Sequence, residues 1–183
     1  KLPGTGEIPQ SAKSLCPSDA PVKTFNVIAA DRALKFNTKA GDFIEVDFDR
    51  KLLIANPKGK IFMLEGEKRK VADGDFQPMP LVLRVNSGDC IKVNLKNEMK
   101  GSKASFSSDM LSFDPRDSQG VNVGNNPGDQ TVAPGKSKTY TFYAHPQYGE
   151  FASLVWDWGN FINNVRDGLF GAIIVGPKGA KYR

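Results

Sequence analysis

Apolar and polar residues alternate over several short stretches of the chain, as in β-strands with one buried face. The clearest stretch is Cys90–Lys96, in which every second residue from Ile91 to Leu95 is apolar and lysine and asparagine lie between them. The apolar stretch Pro80–Val85 precedes it, and residues 86–89 have turn-forming side chains. The pattern predicts that these two stretches form an antiparallel strand pair.

Applied to the whole chain, the same pattern predicts about eight strands joined by turn-rich segments. They are 23–30, 43–48, 61–64, 80–85, 90–96, 136–143, 151–158 and 169–175. Only Glu65–Ala72 has helical character, because it contains good helix formers and ends at Asp73-Gly74. Strands without alternating helices predict an all-β sandwich or barrel with at most one or two short helices.

The distribution of prolines and apolar runs predicts one domain. Four prolines interrupt residues 1–21, which we expect to be an irregular arm, and residues 22–183 form a single domain. The longest apolar runs, such as Ala172–Val175, are far shorter than the roughly 20 residues of a membrane-spanning helix. We therefore expect no membrane span.

The formal net charge of +5 does not predict nucleic-acid binding. Lysines and arginines are scattered, and the densest group, Lys68–Lys70, follows the acidic residues Glu65 and Glu67. A nucleic-acid surface would have basic residues clustered on one face, often interleaved with aromatic ones.

The two cysteines, Cys16 and Cys90, have neither CxxC spacing nor a neighbouring histidine, so they form a poor metal or redox motif. We favour one structural disulfide, which indicates an oxidising compartment. Two buried free thiols are the alternative.

Five segments, taken in order, resemble the cupredoxin domains of multicopper oxidases, particularly those of large bacterial secreted enzymes. They are 80–90, 104–113, 120–128, 132–143 and 168–177. The resemblance implies a cupredoxin-like Greek-key β-sandwich in a secreted, extracellular or periplasmic protein. Such domains also pair a cysteine near their start with the one after Gly-Asp, which here implies Cys16–Cys90.

Family domains that bind copper carry histidines at positions where this chain has other residues. A His-x-His pair is replaced by Ser107 and Asp109, and a second His-rich stretch is replaced by Asp157 and Gly159. Blue copper needs two histidines and a cysteine thiolate, and the chain contains one histidine, His145. We predict a degenerate, copper-free domain, with Asp109 and Asp157 as a candidate cation-binding pair.

Two further groups of residues have alternative interpretations. Oxygen donors in the turn-rich loop are candidate calcium ligands, although we favour their role in capping turns. These candidates are Asp114, Asp117, Asn122 and Asp129. Trp156 and Trp158 either form a carbohydrate-binding platform or, as we favour, place one ring in the core and the other under a loop or partner.

The functional hypothesis that follows is a structural or interaction module without cofactor. Its expected partners are other protein domains or subunits, including multicopper oxidase domains or further copies of itself. The alternative is a non-catalytic part of a working multicopper oxidase whose copper ligands lie on other domains or chains. By itself the chain lacks the histidines for copper, Ser-His-Asp or Cys-His chemistry.

Overall fold

The strands of the chain, whose residues alternate between buried and exposed, form two main sheets. The computed structural model describes residues 14–35, 44–47, 50–52, 55–73, 79–123 and 128–182. The strands among these residues are β1 (Val22–Asp31), β2 (Leu34–Lys35), β3 (Ile44–Asp47), β4 (Arg50–Leu52), β5 (Ala55–Asn56), β6 (Lys60–Leu64), β7 (Leu81–Asn86), β8 (Cys90–Asn97), β9 (Ser107–Ser108), β10 (Ser112–Phe113), β11 (Ser137–Tyr143), β12 (Phe151–Trp156) and β13 (Phe170–Gly176). The helices are α1 (Lys68–Asp73) and α2 (Phe161–Arg166), with 3-10 turns at Glu65–Glu67 and Pro146–Tyr148.

The first sheet has five strands in the order β10-β11-β8-β1-β6. Its central strand β8 pairs parallel to β1 and antiparallel to β11. Ile91, Val93 and Leu95 of β8 are buried, while Lys92 and Lys96 are exposed on the other face. The predicted half-buried strand is therefore confirmed.

The second sheet has four strands in the order β7-β13-β12-β9. Strand β13 pairs parallel to β7 and antiparallel to β12. Two-stranded pairs β2-β5 and β3-β4 complete the strands of the described residues. Each of the eight predicted strands overlaps an observed one, and the predicted all-β sandwich is confirmed.

The predicted pairing of the stretches at 80–85 and 90–96 is wrong, because β7 and β8 belong to different sheets. Between them, the Asn86 N–H donates to the Asp89 carboxylate at 2.8 Å, and Gly88 has a φ of +91°. A positive φ is accessible to glycine at little cost. This turn carries the chain from one sheet to the other instead of closing a hairpin.

The inner faces of the two sheets share one core. Phe62, Phe106 and Phe142 are fully buried, with ring centroids 5.4 Å apart for the first two and 6.1 Å for the last two. A smaller cluster on the other side of β1 and β6 contains Ile28 and Val71, so α1 and its neighbours cover that part of the first sheet. Fully burying such a side chain contributes about 1.5–3 kcal/mol.

The disulfide between Cys16 and Cys90 is present, with a Cα–Cα distance of 5.7 Å. It joins the segment before β1 to the first residue of β8 across a sequence separation of 74. In the chain-entropy model, a closed loop of this length stabilises the fold by about 4 to 5 kcal/mol. Residues 1–13 of the predicted arm lie outside the described residues, and residues 14–21 contain no helix or strand.

Candidate functional site

The first pair of positions at which the resemblance implies copper ligands contains Ser107 and Asp109, in β9 and directly after it. Ser107 is buried and pairs with Trp156 of β12 in the sheet. Asp109 is exposed, and its Oδ2 accepts a 2.6 Å hydrogen bond from the indole Nε1–H of Trp156. The carboxylate is therefore bound to an indole at the protein surface.

Asp157 follows β12 and is fully buried. Its oxygens accept hydrogen bonds from the Ser105 N–H at 2.7 Å, the Asn160 N–H at 3.1 Å and the Asn164 side-chain amide at 2.8 Å. Burial raises the pKa of the Asp157 carboxyl, and hydrogen bonds from Asn160, Ser105 and Asn164 oppose that shift. Asp157 is thus a buried acceptor that connects the end of β12 to α2 and to the segment before β9.

Gly159 lies against the main chain of a neighbouring segment. A Cβ atom on Gly159 would lie 2.5 Å from the Lys103 carbonyl oxygen and 2.7 Å from the Ala104 nitrogen. No side chain fits there unless the backbone moves, so a histidine has no room. The sequence offers no local signal for this contact, because it depends on tertiary packing.

The residues at the four positions do not fit a copper site. Asp157 is buried with its own donors, Asp109 is exposed on the surface, and Gly159 has no space for a ligand. Both cysteines of the chain are in the disulfide, so neither supplies a thiolate. Within the described ranges, no three His, Cys, Asp or Glu side chains form a group that could hold a metal ion.

The candidate calcium ligands interact mainly with basic side chains. The ion pairs are Asp114 with Arg116 at 2.7 Å, Asp117 with Lys138 at 3.2 Å and Asp129 with Lys103 at 2.9 Å. Asn122 donates its amide to Asp129 at 2.8 Å. The Arg116 guanidinium holds the pKa of Asp114 below its ordinary value. The pKa of Asp129 is also lowered, and a hydrogen bond from Thr131 is the largest cause. The role of these residues in capping turns stays the favoured prediction, with calcium binding as its alternative.

His145 begins the 3-10 turn Pro146–Tyr148. Its Nδ1 accepts a hydrogen bond from the Gln147 N–H at 3.2 Å. Its ring contacts those of Tyr143 and Tyr148, with centroid distances of 5.5 and 5.9 Å. The single histidine therefore has a local role in a surface turn.

The outer face of the four-stranded sheet is apolar, and the sequence reasoning missed it. We call this surface the apolar face and define it as Val82, Ala152, Leu154, Trp156, Phe170, Ala172 and Ile174. Val82 and Leu154 are 48% and 52% exposed, and both lie beside Ala172 in the strand ladder. Contiguous exposed apolar surface of this kind marks interaction sites.

Three residues after β12 extend the apolar face, and we call them the aromatic corner: Trp158, Phe161 and Ile162. The Trp158 and Phe161 rings stack with centroids 4.4 Å apart, and Phe161 contacts the edge of Trp156 at 6.3 Å. Ile162 is 75% exposed. The expectation that one tryptophan fills the core is wrong, because Trp156 alternates to the outer face and Trp158 lies beyond the strand.

The outer face of the five-stranded sheet differs sharply from the apolar face. Around β8 it presents polar side chains, in which Asn94 accepts from the Thr139 hydroxyl at 2.8 Å and donates to Asn26 at 2.9 Å. Lys92 and Lys96 of the same face are exposed. A sheet face in water normally has this polar composition.

The apolar face does have a signal in the sequence. Strand β13 contains four successive apolar residues, Ala172–Val175, so both of its faces are apolar. Such a continuous run is typical of a strand that is covered on both sides. The run therefore indicates a second covering layer in addition to the core of this domain.

No protein-family model and no curated protein sequence matches the chain. Solved structures of multicopper oxidases and copper proteins do match its fold. The multicopper oxidase from Pseudomonas thermotolerans has a TM-score of 0.55 at 16% identity, over 88% of this chain and 31% of that one. The copper nitrite reductase from Nitrosomonas europaea has a TM-score of 0.55 at 17% identity, over 87% of this chain and 43% of that one.

This chain has a cupredoxin-like fold. A multicopper oxidase from Pediococcus acidilactici agrees, with a TM-score of 0.51 at 14% identity, over 89% of this chain and 28% of that one. Identities this low establish the fold alone. The chain spans less than half the length of each of these three proteins. None of the helices among the described residues is long and apolar enough to cross a membrane.

Proposed function

We propose that this chain is a copper-free cupredoxin-like module that binds other protein domains or subunits through the apolar face. The observation that carries the proposal is the contrast between the outer faces of the two sheets. Val82, Leu154 and Phe170 are exposed on one, whereas lysine, asparagine and threonine side chains are presented around β8 on the other, whose apolar part is covered by α1 and its neighbours. Exposed apolar surface becomes stabilising when a partner removes it from water.

The residues at the former ligand positions support a structural role. Asp157 bonds three donors from neighbouring segments, and Gly159 packs on the main chain at Lys103. Both residues hold the end of β12 and the start of α2 in place, beside the aromatic corner. The segment at which the resemblance implies copper ligands thus supports a surface for protein contact.

Secretion is part of the proposal. The Cys16–Cys90 disulfide is of a kind that persists in oxidising compartments such as the extracellular space or the bacterial periplasm. This supports a secreted protein or an extracellular assembly as the setting for the module.

The alternative is that the chain is a non-catalytic part of a multicopper oxidase whose copper ligands lie on other domains or chains. It covers only 31% of the Pseudomonas thermotolerans multicopper oxidase and 28% of the one from Pediococcus acidilactici. A domain-sized match of this kind favours a part of a larger enzyme. Both hypotheses require a covered apolar face, and they differ in whether the partner binds copper.

Site-specific photo-crosslinking tests the proposal in the organism that produces the protein. A photoreactive phenylalanine analogue replaces Leu154 on the apolar face, and the control places it at Thr139 on the polar face. We expect protein crosslinks from position 154 and few from position 139. Equal yields from the two positions, or no protein crosslink from 154, would contradict the proposal.

Copper analysis of the purified chain and of its crosslinked partner separates the two hypotheses. We expect the chain alone to bind no copper at stoichiometric level after incubation with Cu(II). A partner that contains copper would support the oxidase alternative. A partner without copper would support the interaction module.

A further inference from the structure

The charges at the edge of the apolar face indicate its partner. We infer that a second copy of this chain covers the apolar face, which gives a face-to-face dimer with twofold symmetry. This inference rests on the proposed function, because it names the partner of the same surface. It depends on the positions of two charged residues, Arg84 and Asp109.

Arg84 lies at one corner of the apolar face. It is exposed on the edge strand β7, in the same row of the ladder as Ile174 and Ala152. Its guanidinium carbon is 5.8 Å from the centroid of the Tyr182 ring. This contact favours a fixed position for the positive charge at the surface.

Asp109 lies at the diagonally opposite corner. Its carboxylate is bonded to Trp156, which shares a row with Phe170, four residues along β13 from Ile174. With strands about 4.8 Å apart and a rise of about 3.3 Å per residue, Arg84 and Ser107, at the end of the row that contains Trp156, are separated by about 14 Å across the strands and about 13 Å along them. The residues between the two corners are those of the apolar face.

Neither charge is neutralised within the described part of the chain, since none of its ion pairs includes Arg84 or Asp109. Both side chains are nevertheless held by aromatic residues, Arg84 by Tyr182 and Asp109 by Trp156. An ionic partner on another molecule would find them already positioned, which reduces the entropy cost of binding.

A twofold axis brings these charges together. When two copies pack face to face, the twofold axis lies in the plane between them. If this axis is perpendicular to the line from Arg84 to Asp109, it places the Arg84 corner of one copy over the Asp109 corner of the other. Arg84 of each copy then lies over Asp109 of the other, which gives two ion pairs around an apolar centre. An isologous contact of this kind closes with two subunits.

The size of the surface predicts a weak dimer. The rectangle of about 14 by 13 Å between strand positions, extended by the aromatic corner, is smaller than the about 800 Å² that a standard specific interface covers on each partner. Ala152 and Ala172 are small and let the two sheets approach closely. Because standard-size interfaces begin at micromolar affinity, we expect a dissociation constant of about micromolar or weaker.

Charge reversal tests the inference by sedimentation equilibrium of the purified chain over a range of concentrations. We expect wild type to dimerise, and Arg84→Glu and Asp109→Lys each to raise the dissociation constant by at least about tenfold, because each places like charges together twice. An equimolar mixture of the two variants should form a heterodimer, since both of its contacts are attractive. The double variant Arg84→Glu/Asp109→Lys should regain the homodimer.

Two controls make the result specific. Lys92→Glu, a reversal on the polar face, should leave the dissociation constant unchanged, and the Tm of each variant shows that it is folded. A wild-type chain that stays monomeric at all concentrations overturns the inference. So does a dimer whose dissociation constant is unchanged by Arg84→Glu and by Asp109→Lys, or an equimolar mixture of these two variants that does not form a heterodimer. Crosslinks from position 154 to a different protein, together with a monomeric chain, would overturn self-association and leave the proposed interaction module intact.

Discussion

Replacing Asp157 by alanine tests whether this buried carboxylate holds together the end of β12, the start of α2 and the segment before β9. The substitution removes the acceptor for the Ser105 N–H, the Asn160 N–H and the Asn164 amide. A buried donor without a partner costs about 1–3 kcal/mol, and removal of the buried charge recovers part of that cost. Two of the three donors, the Ser105 N–H and the Asn164 amide, are buried, so we expect the free energy of unfolding to fall by about 2 to 5 kcal/mol, and the Tm by about 5 to 20 °C for a domain of this size.

The pH dependence of stability adds a second measurement. Burial raises the pKa of Asp157, so the folded state retains its proton at pH values where the unfolded state has lost it. The stabilising contribution is complete below the ordinary pKa of about 4 and declines as pH rises through the raised pKa. The stability difference between wild type and Asp157→Asn, which cannot titrate, should therefore decrease as pH rises through this window.

Urea unfolding followed by tryptophan fluorescence measures both effects, because Trp156 and Trp158 flank Asp157 in the sequence. Asp109→Ala is the matched control, since it removes an exposed carboxylate from the paired family position, and we expect it to cost less than about 1 kcal/mol. A loss below about 1 kcal/mol for Asp157→Ala would refute the structural role, because the Ser105 N–H and the Asn164 amide are buried and each costs about 1–3 kcal/mol without an acceptor. A stability difference that increases with pH would refute the raised pKa.

Three further changes have definite expected outcomes. Gly159→Ala should lower the free energy of unfolding by several kcal/mol, because its Cβ would lie 2.5 Å from a main-chain oxygen. The control Gly101→Ala should be nearly neutral, because a Cβ there meets nothing within 4 Å. Thermal melting compares the stability of the two variants. Replacing Cys16 and Cys90 together by serine should cost about 2–5 kcal/mol in urea unfolding, and a reductant should have the same effect on wild type but none on the variant. Tyr140→Phe should cost about 1 kcal/mol, because the buried Tyr140 hydroxyl donates to a main-chain oxygen at 2.6 Å; a neutral result would show that this oxygen finds another donor.

The strands of the sandwich could be predicted from the sequence because each has a local signature. Alternation in β8 gives the buried face directly, and the turn residues at 86–89 show where β7 ends. Which strand pairs with which has no such local signature, because the same turn residues occur in a hairpin and in a connection between two sheets. The pairing of β7 with β13 therefore depends on contacts distant in sequence.

Helix α2 could not be predicted for a similar reason. Its six residues include Asn163 and Asn164, which have low helix propensity. Asn164 is fully buried and donates to Asp157 and to the Lys103 carbonyl, so tertiary hydrogen bonds fix this turn of helix. The single histidine can be read from the composition and predicts a copper-free domain, but the role of Asp157 as a hydrogen-bond acceptor depends on its burial.

The tight packing of Gly159 also bears on how this protein could be engineered. At most positions a metal ligand can be introduced by a single substitution, but at Gly159 the Lys103 main chain occupies the space that any side chain would need. A histidine at this position would first require two segments of backbone to be remodelled. An engineer who wants copper in this scaffold should therefore build the site elsewhere.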